Sequence, residues 1–258
     1  ARHIILREVG GVGQKKLLGS RVLLVGAGGL GSPLLMYLAA AGIGTLGIID
    51  DDVVTISNLQ RQIAYKTKDV GQFKAVTAGQ MVSKINPDVE VKHYIDRLSY
   101  ANVTDLIDDY DLIADGSDNF ATRFLLNDAC FIKRKTLVSA AVLRFDGQIS
   151  TYKAFLGSPN PCYRCIFPEK PPEDIVPTCA QGGVLGAVAG IMGTLQATEV
   201  VKELLGIGES LSGRLLIYDG LATRVRTVRV RRDSNCALCG QNPSIRDLTL
   251  HAGGADLN

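Results

Sequence analysis

No stretch of this chain stays apolar for long enough to cross a bilayer. The most apolar run, Val184 to Leu195, is too short and is followed by Gln196, Glu199 and Lys202. Nor is there an excess of charge of one sign. Lys and Arg number 28 against 26 Asp and Glu, a net charge of +2 spread along the sequence, and such a balance gives no field that would gather nucleic acid or an anionic membrane. No shift in composition marks a linker in the middle of the chain. With 258 residues and 46% hydrophobic content, one extended α/β unit over residues 1–240 is expected rather than two domains. The chain opens at Ala1-Arg2 without an initiator methionine, which leaves a missing upstream segment open, and Ile4-Ile-Leu6 is far too short for a signal peptide. A cytoplasmic protein with neither a nucleic-acid nor a membrane partner is expected.

What is present begins with Arg21-Val-Leu-Leu-Val-Gly-Ala-Gly-Gly-Leu-Gly-Ser32. Arg21 to Val25 reads as a buried strand and Pro33 to Ala41 as a helix, with a Gly-x-Gly-x-x-Gly turn between them. Gly26 permits the sharp turn, Gly28 and Gly29 let the backbone approach a phosphate, and Gly31 lets helix and strand pack closely. The helix N-terminus then faces an anion. A second short strand from Thr45 ends at Asp50, about 20 residues beyond the glycines, where an acid can accept from both ribose hydroxyls. A Rossmann-like nucleotide fold follows.

The next segment argues against a nicotinamide cofactor. Asp50 to Gln62 is too polar for a core element and sets Asp52, Asn58, Arg61 and Gln62 at the carboxyl edge of a parallel sheet, where ligands bind. A dehydrogenase has little use for an arginine there. A nucleoside triphosphate does, because a planar guanidinium holds two phosphate oxygens at once. Lys74 falls in the first turn of a helix running to Ile85, where a lysine opposes the helix dipole unless an anion is near. Val89 to Ile95 alternates as a strand, with His93 on its face. Asp111 to Asp115 is a buried strand, and Asp115 and Asp118 frame a Gly-Ser turn before a helix that carries Phe120, Phe124 and Ile132. Asp118 is either the cap of that helix or a magnesium ligand, since the ion takes one or two carboxylates together with phosphate oxygens.

Two Cys-x2-Cys pairs, Cys162/Cys165 and Cys236/Cys239, have the spacing of knuckles that share one tetrahedral zinc. A disulfide is disfavoured in the cytosol. Four sulfurs leave no position for water or substrate, so such a site holds structure and performs no chemistry. Cys130 reads as a core residue. Cys179 is either a nucleophile or thiol donor, or a small buried side chain. Thr136 to Ala141 and Gln148 to Phe155 read as strands on either side of an Asp146-Gly147 turn. Val184 to Leu205 reads as a long helix, and Arg214 to Asp219 with Thr223 to Arg231 as a closing hairpin whose arginines guard an exposed strand. Arg2 to Leu6 reads as an N-terminal arm, and Gln241 to Asn258, which lacks periodicity, as a flexible tail.

These stretches together resemble the MoeB/ThiF family, bacterial relatives of ubiquitin-activating enzymes. The resemblance rests on Gly26-Ala-Gly-Gly-Leu-Gly31, Ser57-Asn-Leu-Gln-Arg-Gln62, Gly71-Gln-Phe-Lys74, Asp115-Gly-Ser-Asp-Asn119, Pro177-Thr-Cys179 and the two knuckles. It implies an α/β fold with a mainly parallel sheet extended by antiparallel strands, plus a four-cysteine zinc site. It also implies ATP-dependent adenylation of the C-terminal Gly-Gly of a small ubiquitin-like sulfur carrier, with ATP, Mg2+ and Zn2+ as cofactors. By the same resemblance Asp50 holds the ribose, Arg61 and Lys74 neutralise the triphosphate, Asp118 binds magnesium, and Asn58 and Asn119 add polar contacts. Arg2 reaches the nucleotide of the other subunit in a homodimer. The short stretch after Gly240 implies a separate sulfur donor protein. Asp115-Gly-Ser-Asp118 and Pro171-Pro172 favour the molybdopterin branch over the thiamine branch, in which the cysteine matching Cys179 takes part in sulfur transfer.

Overall fold

The sheet grows in both directions from β1 (Arg21–Val25). In the computed structural model, which describes residues 2–171 and 182–253, eight strands lie in the order β3-β2-β1-β4-β5-β6-β7-β8. β1 pairs in parallel with β2 (Thr45–Ile49) and β4 (Leu112–Asp115), β2 with β3 (Glu90–Tyr94), and β4 with β5 (Thr136–Leu143). From β5 the direction alternates through β6 (Asp146–Tyr152), β7 (Arg214–Asp219) and β8 (Arg224–Arg229).

The inner strands are continuous apolar runs because helices cover both faces. Side chains of a strand alternate between faces, and β1 shows it: Leu24 joins the core beneath α3 (Gly31–Ala41), α4 (Lys74–Ile85) and α7 (Gly186–Leu205), with Leu34, Leu38, Val82 and Val200. Leu23 and Val25 join the opposite core with Ile107 of α5 (Val103–Asp108) and Leu126 of α6 (Phe120–Ile132). Each fully buried leucine contributes about 1.5–3 kcal/mol of apolar transfer free energy. β8 ends the strand order, all six of its residues are exposed, and Arg224, Arg226 and Arg229 are charges of the kind that discourage pairing at an edge strand. No helix among the described residues is long and apolar enough to cross a membrane.

The structure departs from the sequence reading in four places. The N-terminal arm is two helices, α1 (Arg2–Ile5) and α2 (Gly10–Leu18). Glycines at 10, 11 and 13 hide α2, which tertiary packing stabilises through fully buried Leu17 and through Gly13 against Leu205. α5 is too short to show a period. Asp146 and Gly147 are paired with Leu143 and Val142 inside β6, so the hairpin turn lies at Arg144 and Phe145, and Phe155 belongs to a 3-10 turn, Ala154–Leu156. Finally, residues 241–253 do not form a loose tail. Leu248 is 8% exposed in the second core, the Ile245 N–H donates to the Ala237 carbonyl at 2.9 Å, and His251 Nε2 lies 2.8 Å from Asp128 Oδ2. Single docking contacts of this kind leave no periodic trace.

Candidate active site

A cleft of about 560 Å³ opens at the carboxyl edge of β1 and β4, where the strand order reverses. Its floor is the glycine turn. Gly26 has φ of +88°, and a Cβ there would stand 3.0 Å from the Gly116 carbonyl oxygen. A Cβ on Gly31 would stand 2.3 Å from the Gly26 carbonyl oxygen. These two glycines let the turn close on itself, and Gly31 does not line the cleft. Gly28 differs: a Cβ would meet only Gln62 Nε2, at 3.6 Å, so its backbone faces open space. Gly29 lines the cleft beside the Arg61 stem. The buried Tyr65 hydroxyl braces the turn by donating to the Ala27 carbonyl at 2.6 Å, and burial raises its pKa well above the ordinary phenol value.

Asp50 stands over this floor. Its Oδ2 accepts from the Ala27 N–H at 2.7 Å and its Oδ1 from the Asp52 N–H at 2.9 Å. That leaves lone pairs on both oxygens for further donors. Burial raises the Asp50 pKa, while the Lys74 charge and the two backbone hydrogen bonds act against it. Lys74, the first residue of α4 and 6% exposed, has found the anion that its place on the helix demands: its Nζ lies 2.6 Å from Asp52 Oδ2. Arg61 lines the cleft and donates from Nη1 to the Ser57 carbonyl at 3.1 Å. Gln62 is 3% exposed, and its Oε1 is buried with no hydrogen-bond partner among the described residues. An orphaned buried acceptor is destabilising and here sits in a side chain that lines the cleft.

The two acids around the Gly-Ser turn have separate roles. Asp115 is fully buried. Its Oδ1 accepts from Ser117 N–H and Oγ, at 2.9 and 2.6 Å, and its Oδ2 from Ser139 Oγ at 2.6 Å, so it is a structural lock. The cap of α6 is Asn119, whose Oδ1 accepts from Thr122 N–H at 2.9 Å. Asp118 is therefore not needed as a cap. It is exposed, lines the cleft and has no side-chain partner among the described residues. One unpartnered carboxylate suits magnesium, which keeps several waters and takes the rest of its ligands from substrate phosphates.

Besides Gly31, two expected site residues lie elsewhere. Asn58 does not line the cleft. Its Oδ1 accepts from Thr55 N–H at 3.1 Å and its carbonyl from the N–H groups of Arg61 and Gln62, so it shapes the loop that carries them. Arg2 is exposed on α1 and does not line this chain's own cleft. Cys179 lies outside the described residues. The residue that sequence reasoning passed over is Arg123 of α6, which is 7% exposed, lines the cleft and donates from Nη2 to the Ser117 carbonyl at 2.5 Å. Its only sequence signal is an arginine following Asp118-Asn119 by one helical turn.

The four cysteines meet. Cys162 Sγ is 3.5 Å from Cys236 Sγ, Cys165 Sγ is 3.4 Å from Cys239 Sγ, and Cys162 Sγ is 3.9 Å from Cys165 Sγ. A tetrahedron of sulfurs about 2.3 Å from zinc has edges of about 3.8 Å, so the donor set fits that ion. The knuckle backbones help, with Asp233 N–H donating to Cys165 Sγ at 3.4 Å. Arg232 donates to the carbonyls of Ala154, at 2.6 Å, and of Cys239. Between the first two cysteines, Tyr163 lines the cleft and stacks edge-on to Phe124 with ring centres 5.2 Å apart. Its neighbour Arg164 grips fully buried Asp128 through two hydrogen bonds of 2.8 and 2.7 Å, and His251 completes that cluster. Burial pushes the Asp128 carboxyl up, but the hydrogen bonds from Arg164 and His251 outweigh it and hold its pKa below the ordinary value.

A family model described as "ThiF family" matches residues 1–238. The sulfur carrier protein adenylyltransferase of Thermus thermophilus is 46% identical over 249 residues, covering 96% of this chain and 92% of that protein. The SAMP-activating enzyme E1 of Haloferax volcanii is 48% identical over 250 residues, 96% of this chain and 91% of its own length. Adenylyltransferase and sulfurtransferase MOCS3 of Bos taurus is 48% identical over 249 residues, and there the chain spans only 54% of the relative. Among solved structures, MccB of E. coli with ATP has the same fold, with a TM-score of 0.78 at 21% identity over 88% of this chain and 68% of that one.

Proposed function

Because the chain belongs to the ThiF family, we propose that it is an adenylyltransferase using magnesium-ATP to activate the C-terminal Gly-Gly carboxylate of a small ubiquitin-like sulfur carrier, most specifically the molybdopterin-type carrier. The observation that carries this reading is the convergence of Asp50, Arg61, Lys74 and Asp118 on one cleft above a glycine turn. The relatives named for adenylation of a sulfur carrier or for E1-type activation support it.

The chemistry needs little more than these groups. A carrier carboxylate, already ionised at neutral pH, attacks the α-phosphorus. The new carboxylate O–P bond forms as the bond from the α-phosphorus to the bridging oxygen breaks, and pyrophosphate leaves with that electron pair. No side chain acts as nucleophile or general base. Asp50 accepts from the ribose hydroxyls, the backbone at Gly28 and Gly29 approaches the phosphates, and Arg61 and Lys74 meet the growing charge of the leaving group. Asp118 would hold magnesium, which would supply charge neutralisation at the phosphates. Catalysis is then positioning and electrostatics. Lys74 can serve a triphosphate by exchanging its Asp52 partner, which is exposed to solvent.

The proposal includes a cytoplasmic homodimer in which Arg2 reaches the partner's nucleotide, and a zinc in the four-cysteine cluster that does no chemistry. Its test is pyrophosphate release from magnesium-ATP with two purified carriers, one molybdopterin-type and one thiamine-type. Release with the first alone, lost when its terminal glycine is deleted, is expected. Release with only the thiamine-type carrier moves the chain to that branch, and silence with both from zinc-loaded folded protein overturns the reading.

A further inference from the structure

The turn after β4 is tied down on every side but one. The Asp115 carboxylate is locked by Ser117 and Ser139, and Asn119 is committed to capping α6. The Ser117 carbonyl is held from behind by Arg123 Nη2 at 2.5 Å. Asp118, between Ser117 and Asn119, keeps its own carboxylate without a partner among the described residues and lines the cleft. The clamp itself is unusual. Arg123 is 7% exposed, lines the cleft and makes no ion pair within 4 Å of any carboxylate among the described residues, so its charge is held at the site without a direct partner. A neutral residue would serve better at this place if bracing the helix were its only role.

We propose that Arg123 is a positioning residue for the metal-bound nucleotide: by fixing the Ser117 carbonyl it aims the neighbouring Asp118 carboxylate at the cation. This rests on the magnesium role given to Asp118 above. The guanidinium exerts two opposed effects on that cation. As a positive charge near the site it weakens binding by repulsion. As a clamp it strengthens binding, because a carboxylate held in place loses less freedom when it coordinates. The clamp outweighs the charge, so removing Arg123 weakens the metal even though it removes a repulsive neighbour. Outer-shell partners of metal ligands typically govern about 10–100-fold in affinity.

The test uses Mn2+ as the probe with a non-hydrolysable ATP analogue and the full chain, reading free Mn2+ by its electron paramagnetic resonance signal. Arg123→Met is expected to raise the half-saturating Mn2+ concentration by about tenfold, with zinc content and melting temperature close to those of the parent. Arg123→Lys, which keeps the charge and one donor of similar reach, is expected to lose less. Equal or tighter Mn2+ binding by a folded Arg123→Met overturns the proposal. Should that variant fail to fold, Arg123→Gln takes its place, and Mn2+ binding by it equal to or tighter than that of the parent overturns the proposal. Asp118→Asn separates the two levels: if it binds Mn2+ like the parent, the magnesium role of Asp118 has failed, and the role of Arg123 fails with it.

Discussion

The cleft and the cysteine clip are built on opposite terms. In the clip the polar groups find partners within the chain: four sulfurs gather on one another, and Arg232 occupies the surrounding carbonyls. In the cleft, among the described residues, bonds are left unmade, with Gln62 Oε1 orphaned, Asp118 unpartnered and Asp50 only half used. The clip converges its donors on one point, whereas the cleft leaves acceptors open at its surface. Unpartnered buried atoms also occur outside the cleft, at Arg21 Nε and Gln196 Oε1, so the contrast belongs to these two regions alone. The two touch at Tyr163, which belongs to the first knuckle and lines the cleft.

If that division is sound, damage to each region should be felt mainly in its own observable. Stripping the metal with a chelator, or Cys236→Ser with Cys239→Ser, is expected to have the largest effect. Binding energy on the order of 10 kcal/mol in zinc peptides would be lost from stability, read by urea unfolding alongside zinc content. In the population that stays folded, nucleotide affinity should fall by less than about tenfold, or about 1.4 kcal/mol, and a larger fall there would erase the division. Asp128→Asn leaves Arg164 buried without its carboxylate and is expected to cost about 3–5 kcal/mol. The same variant should flatten the acid limb of the stability curve. The folded-state pKa of Asp128 is lowered, so its contribution is complete above the unfolded value of about 4 and is lost as pH falls through the folded one. Arg61→Ala or Lys74→Ala should lower adenylation by roughly 100-fold or more, about 2.7 kcal/mol, by analogy with removing one charge-stabilising donor. Unfolding midpoints should move little, and unchanged pyrophosphate release from both variants would sink their assignment. The smallest effect is expected from His251→Ala, about 1 kcal/mol for one buried hydrogen bond, because Arg164 and Asn127 still satisfy Asp128.

Much of this is legible in the sequence. The strands β1, β2 and β4 and the helices α4 and α6 announce themselves as apolar runs and periods, and the two knuckles as paired thiols. The glycine turn was legible too, although Gly26 and Gly31 prove to serve the turn's own closure, while Gly28 and Gly29 serve the cleft. Less readable were residues whose side chains are spent locally. Asn58 looks like a ligand but builds a loop, and Asp115 looks like half of a metal site but is consumed by two serines. A sequence lists polar groups without saying which are already engaged. Arg123 failed the opposite way, since a lone arginine on a helix reads as surface charge until its burial is known. The 241–253 segment escaped because its docking depends on single contacts such as those of Leu248 and His251.

The separation of the two knuckles along the chain has a consequence for synthesis. Cys162 and Cys165 emerge from the ribosome well before Cys236 and Cys239, with α7, β7 and β8 made in between. At about 5–20 residues per second, the first thiol pair waits several seconds for its mates. For part of that interval the apolar face that α7 will cover, including Leu30, Leu34 and Ala140, stands bare. Closure of the four-sulfur cluster, which needs both knuckles, is therefore a later event than the making of the helix that covers this face.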